Sequence, residues 1–177
     1  MLKTLYRILP WTILSLSFVI PAFYYHAIPD EVLITRNLDG SNPTFAPKSL
    51  FAVFRVPLIE LVCASAIELM RRRFTDSNSE KHQNYYSMWS ILLYTVAFKS
   101  LFQTFEIVSS KQFTSLFFYL TFGVVIAGII LALFKGRKVF SAFNHEDWNF
   151  GRAEKLALAI LFAVYLGLAF VPMSMFG

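Results

Sequence analysis

A chain of 177 residues that is 56% hydrophobic and only 15% charged departs from a soluble domain on both counts. Its formal charge of +5 would suit a nucleic-acid partner, but the basic residues stand in short segments between long apolar runs. That is the pattern of a chain oriented across a bilayer, so the lipid bilayer is expected as the partner and nucleic acid is not. One cysteine, Cys63, leaves no disulfide framework or thiolate metal site within a single chain.

Five apolar runs, at about 8–26, 49–70, 86–107, 113–134 and 155–175, each approach the ~20 residues that carry a helix across ~30 Å of hydrocarbon. They are too long for strands and lack barrel-type alternation. The expected fold is all-α: a polytopic membrane protein forming a single membrane domain, a bundle of about five transmembrane helices.

The first run follows Lys3 and Arg7 and has the outline of a signal peptide. Phe23, Tyr24 and Tyr25 stand where small residues would mark cleavage, so a retained helix is predicted. An outer loop, about 27–48, is divided into turns by Pro29, Gly40, Pro43 and Pro47. The second run holds Arg55, Glu60 and Glu68, with Pro57 interrupting the backbone ladder. After a short polar inner loop, about 71–84, the third run carries Lys99, Gln103 and Glu106, whose spacing places them on one helical face. The fourth and fifth runs contain small residues four apart: Gly123 and Ala127, Gly128 and Ala132, and Ala159, Ala163 and Gly167. Such rows let helices approach closely in lipid and are expected to face other helices of the bundle, with a homodimer face as the alternative. The inner loop at about 135–154 mixes basic residues with Val139, Phe140, Phe143, Trp148 and Phe150, which suits either an amphipathic segment on an anionic leaflet or a simple basic loop.

Orientation follows from lysine and arginine. With the N-terminus inside, the inner segments hold Lys3, Arg7, Arg71, Arg72, Arg73, Lys81, Lys135, Arg137, Lys138, Arg152 and Lys155, and the outer ones only Arg36, Lys48 and Lys111. An odd number of spans then puts the C-terminus outside.

Charges at membrane depth need partners or a wet cavity. At 1.5 Å per residue, Glu60 lies roughly 16 Å below the outer end of its helix, Lys99 roughly 12 Å and Arg55 about 9 Å. A Glu60–Lys99 pair is predicted, with Arg55 reaching towards Glu106 or the outer loop and Glu68 meeting Arg71–Arg73. The functional reading is an outward-open polar cavity that binds a ligand or relays a proton. The structural reading is a buried pair that fixes helix register.

His26, His82 and His145 lie outside or at the edges of the runs, which disfavours transmembrane haem ligation. There is no HExxH, phosphate-binding glycine loop or GxSxG elbow. The cluster Asn144-His145-Glu146-Asp147 reads as a solvated turn ahead of a metal site. A non-enzymatic protein without cofactor or metal is expected.

The stretch around the outer loop contains Ile28, Pro29, Asp30, Val32, Asn37, Gly40 and Lys48. At these spacings it resembles the N-terminal module of the bacterial SdpI-like immunity-protein family over residues 20–60. Leu33 stands where that family has its second proline and Thr35 where it has its histidine, so any chemistry of that histidine is missing here. The resemblance implies an immunity, sensing or envelope-stress protein of the bacterial cytoplasmic (inner) membrane. The expected function is binding of a peptide or lipid-like partner, or of another membrane protein. The polar seam Arg55, Glu60, Lys99, Gln103 and Glu106 and the outer-loop residues Pro29, Asp30, Asn37, Gly40 and Lys48 would form the site. The alternatives are a structural subunit of a larger membrane complex or transporter, and a small proton-coupled carrier or membrane enzyme using Glu60 and Lys99.

Overall fold

The computed structural model describes residues 2–35, 44–74, 80–109, 114–140 and 151–170. Their order is α1 (Leu2–Phe23), a 3-10 turn (Tyr25–Ala27), β1 (Glu31–Thr35), β2 (Thr44–Pro47), α2 (Leu50–Arg72), α3 (Glu80–Val108), α4 (Thr114–Phe140) and α5 (Arg152–Phe170). Among the described residues, four helices are long and apolar enough to cross a membrane: those containing Tyr6–Phe23, Leu50–Arg72, His82–Val108 and Leu116–Arg137. The fifth helix is described through Phe170, and the remainder of its predicted span lies outside the described residues.

The helices run alternately up and down, as long-range contacts show. Tyr94 Oη donates to Tyr6 O at 2.9 Å and Thr104 Oγ1 to Ser17 O at 3.3 Å, so α1 and α3 are parallel. Ring stacking of Phe105 on Phe117, together with the contact of Thr95 and Gly128, makes α4 antiparallel to α3. Arg73 meets Glu154 at 3.1 Å and Arg55 meets Leu168 O at 3.0 Å, so α5 is antiparallel to α2. Helices α1, α2 and α3 pack mutually, while α4 lies against α3 and α5 against α2.

Buried Ile13 and Leu14 of α1 meet Ala64 of α2 and Leu93 and Ala97 of α3 in the middle of the bundle. A second cluster closes the basic end, where Phe74, Tyr85 and Met88 pack with Ala132 of α4. Phe74 is 4% exposed and stacks on Tyr85 at 4.7 Å, so this part of the inner connection is a packed turn. On α4, Tyr119, Ile130 and Phe134 are 65, 59 and 74% exposed. Such an apolar exterior fits hydrocarbon as the surrounding solvent.

Only one of the small-residue rows meets a neighbouring helix as expected. A Cβ built on Gly128 would overlap the Thr95 side chain, and Ala132 is buried. Gly123 and Gly167 have open space where a Cβ would go, and Ala127, Ala159 and Ala163 are exposed. The helix boundaries also differ from the apolar runs. The third helix starts at Glu80 and the fourth continues to Phe140, because polar residues next to an apolar run continue the backbone ladder without interrupting it. The cluster 144–147 and the aromatic residues Phe143, Trp148 and Phe150 lie outside the described residues.

The outer loop holds a feature that turn chemistry did not indicate. Strands β1 and β2 form an antiparallel hairpin with Glu31 opposite Pro47, Val32 opposite Ala46 and Leu33 opposite Phe45. A two-stranded hairpin is marginal alone. Here Val32 and Ile28, each 2% exposed, pack with Ala52 and Val53 of α2 and Ile107 of α3 and so fasten it to the bundle.

Candidate functional site

The outer-loop residues identified in the sequence include a clamp. Lys48 donates its backbone N–H to Asp30 O at 2.7 Å and its Nζ to Ile28 O at 2.7 Å. The same ammonium stands 3.7 Å from the Asp30 carboxylate and 5.6 Å from the centre of the Tyr25 ring. One lysine thereby ties both sides of the Pro29-Asp30 turn to the base of β2. Immediately afterwards Ser49 caps α2, its Oγ accepting from Ala52 N–H at 3.1 Å. Asn37 and Gly40 lie outside the described residues.

The five seam residues fall into three separate settings. Glu60 and Lys99 form an ion pair across α2 and α3. Glu60 is 3% exposed, whereas the Lys99 side chain is a third exposed. Burial of the Glu60 carboxylate is tolerable because the ammonium compensates its charge.

Arg55 sits elsewhere. Its Nε donates to Leu168 O in the last turn of α5. Carbonyls in a last helical turn lack an intrahelical partner, and a guanidinium both satisfies them and opposes the negative end of the helix dipole. The sequence could not choose this contact, since it depends on α5 folding back along α2.

Glu106, near the C-terminal end of α3, lines a cavity of about 330 Å³ beneath the hairpin. Pro29, Asp30, Glu31, Leu33 and Phe45 form the hairpin side of that cavity, and Ile107 and Ser109 continue the helical side. Between these settings, Gln103 Oε1 is buried without a hydrogen-bond partner among the described residues, as is Ser109 Oγ at the cavity wall.

The structure therefore joins Pro29 and Asp30 of the outer loop with Glu106 of the seam around one opening. Glu31, Leu33, Phe45, Ile107 and Ser109 complete it, and none of these was singled out as a site residue. Glu31 lies within the motif region, but only the hairpin's docking on α3 reveals its position.

The basic end carries a contrasting set of charges. Glu68, 8% exposed, meets Arg71 at 2.6 Å and Arg72 at 3.0 Å. Glu154 meets Arg73 and also accepts from Gly151 N–H at 2.9 Å, capping α5. Both carboxylates are thus paired with cations, Glu68 nearly buried and Glu154 partly exposed at a helix start. Among the described residues, no group of three or more His, Cys, Asp or Glu side chains could hold a metal ion. No protein-family model, curated protein or solved structure matches this chain.

Proposed function

We propose that this protein is a multi-pass protein of the bacterial cytoplasmic membrane, of immunity or sensing type, that binds a peptide or lipid-like partner at its outward end. The observation that carries this reading is the cavity of about 330 Å³ in which the hairpin and the outer end of α3 meet. It has the size of a small-ligand or side-chain site and combines apolar walls with a few convergent polar groups. The reading of five spans with the N-terminus inside is supported by the alternation of five helices, four of them long and apolar enough to cross a membrane, and by Arg7, Arg71–Arg73, Arg152 and Lys155 gathering at the opposite end. On this reading the Glu60–Lys99 pair and the Arg55–Leu168 contact hold the scaffold that presents the cavity. The resemblance of the outer loop to SdpI-like immunity proteins supports the same assignment.

The test is to extract the protein with its native lipids and identify retained species by native mass spectrometry. Wild type should carry a peptide or lipid-like ligand that Ser109→Trp, which fills the cavity, loses. If the two carry the same species, or neither carries any, the reading fails. A second reading, a subunit of a larger membrane complex, is favoured by the exposed small rows Gly123–Ala127 and Ala159–Ala163–Gly167. It predicts a stable hetero-complex in mild detergent that Gly123→Leu or Gly167→Leu disrupts.

A further inference from the structure

Helix α1 carries two prolines within its span, Pro10 and Pro21. A proline has no N–H, so each leaves the carbonyl four residues earlier without its helical donor. Those carbonyls belong to Tyr6 and Ser17. Away from water, another protein group has to satisfy them.

Helix α3 supplies that group in both cases. Tyr94 Oη donates to Tyr6 O at 2.9 Å, and Thr104 Oγ1 donates to Ser17 O at 3.3 Å. Other hydroxyls of these two helices, such as those of Ser15, Ser90 and Thr95, return to the carbonyl four residues back in their own helix. Tyr94 and Thr104 cross to α1 instead, and each lands on a carbonyl that a proline has freed. The two donors are spaced along α3 nearly as the two carbonyls are along α1, so parallel packing meets both at once.

The two contacts differ in their surroundings. Ser17 is 0% and Thr104 1% exposed, and Pro21 is fully buried, so no solvent can stand in for the Thr104 hydroxyl. Tyr6 is 62% exposed, where water or a headgroup can replace Tyr94. Shortly after Pro21, α1 ends at Phe23 and leads through the 3-10 turn to Ile28 and β1. On α3, Ile107 follows Thr104 on the same face and packs in one cluster with Ile28 and Val32. The Thr104 contact and the docking of the hairpin are therefore successive contacts between the same two stretches of chain.

We propose that Tyr94 and Thr104 are surrogate donors for the amides missing at Pro10 and Pro21, pins that fix α1 on α3, and that the Thr104 pin holds the hairpin roof over the cavity. This device operates whether or not the cavity binds a partner.

The experiment is a pair of double-mutant cycles on the full chain, read by denaturant titration in mixed micelles. Thr104→Val should raise the unfolding equilibrium constant about fivefold, the effect of one buried hydrogen bond. In a Pro21→Ala chain the restored amide serves Ser17 O, so adding Thr104→Val should change nothing further. Tyr94→Phe should raise the constant about twofold, and not at all in a Pro10→Ala chain. Ser100→Ala is the control on the same helix. Ser100 is fully buried, and its Oγ has no hydrogen-bond partner among the described residues, so its loss should not destabilise. The roof is read by Ser109→Cys in a Cys63→Ser chain, labelled with a water-soluble maleimide. Adding Thr104→Val should speed labelling about threefold by easing local opening, and Tyr94→Phe should not.

Equal losses from Thr104→Val with and without Pro21 would mark an ordinary interhelical contact and overturn the surrogate role. Should Pro21→Ala fail to fold, the Pro10–Tyr94 cycle decides the same question by the same criterion. Labelling that Thr104→Val leaves unchanged, or that Tyr94→Phe speeds equally, would overturn the dependence of the roof on the Thr104 pin.

Discussion

Glu68 and Glu154 at the basic end, and Asp30, Glu31 and Glu106 at the hairpin end, are the same chemical group in two different structural roles. At the basic end the carboxylates lie within 2.6 to 3.1 Å of guanidiniums, and Glu154 also caps a helix start. At the hairpin end they border a cavity. Charge at one end closes the bundle, and charge at the other surrounds an opening. The lesson is that a polar residue's role is set by what its neighbours enclose, and changes in stability and in binding should separate along that line.

The largest effect is expected between the two ends, at the mid-bundle pair. Lys99→Met leaves Glu60 buried without its counter-charge, and stability should fall by about 3–5 kcal/mol in denaturant titrations in mixed micelles. Replacing both partners, Glu60→Leu with Lys99→Met, should recover most of that loss, because a packed apolar pair needs no compensation. If the double variant is as unstable as the single one, the pair is more than a neutralised register point. At the basic end Arg71→Ala should cost about 3 kcal/mol, since Arg71 is 2% exposed against Glu68. An Arg71 effect near zero would erase the contrast between the ends.

Packing gives the next size of effect. Gly128→Leu should cost about 1–3 kcal/mol by overlap with Thr95, and Thr95→Ala should relieve part of it. Gly123→Leu, facing open space, should leave the unfolding midpoint of the isolated protein unchanged. The smallest stability effect belongs to the hairpin end. Asp30→Asn and Glu31→Gln should not move the unfolding midpoint and should act only on ligand affinity. A large loss of stability from Glu31→Gln would make that end structural as well.

Much of this arrangement is legible in the amino-acid order. Long apolar runs read as helices, the form in which a single segment satisfies its own backbone groups without water. Lys99, Gln103 and Glu106 share a helix face by their spacing, and depth along two antiparallel helices is enough to pair Glu60 with Lys99. The local cluster of Glu68 with Arg71 and Arg72 also follows from helical periodicity.

Other features depend on contacts between distant segments. Arg55 reaches Leu168, 113 residues away, which no periodicity specifies. Gly123 and Gly128 belong to equally good small-residue rows, yet only Gly128 meets a neighbouring helix, because the rotation of α4 is set by its packing on α3. The hairpin escaped a reading based on prolines and glycines. Its strands are short, and its stability comes from Val32 and Ile28 docking on α2 and α3 rather than from the loop itself.

The sequence by itself thus determined the helices, their number of about five and the positions of their charges along them, since those are consequences of local composition and chain geometry. Tertiary structure alone decided that the hairpin folds over the end of α3, and with it that Glu31, Glu106 and Ser109 surround one cavity. That cavity lies between elements far apart in the chain, and the cluster of Ile28, Val32, Ala52, Val53 and Ile107 brings them together.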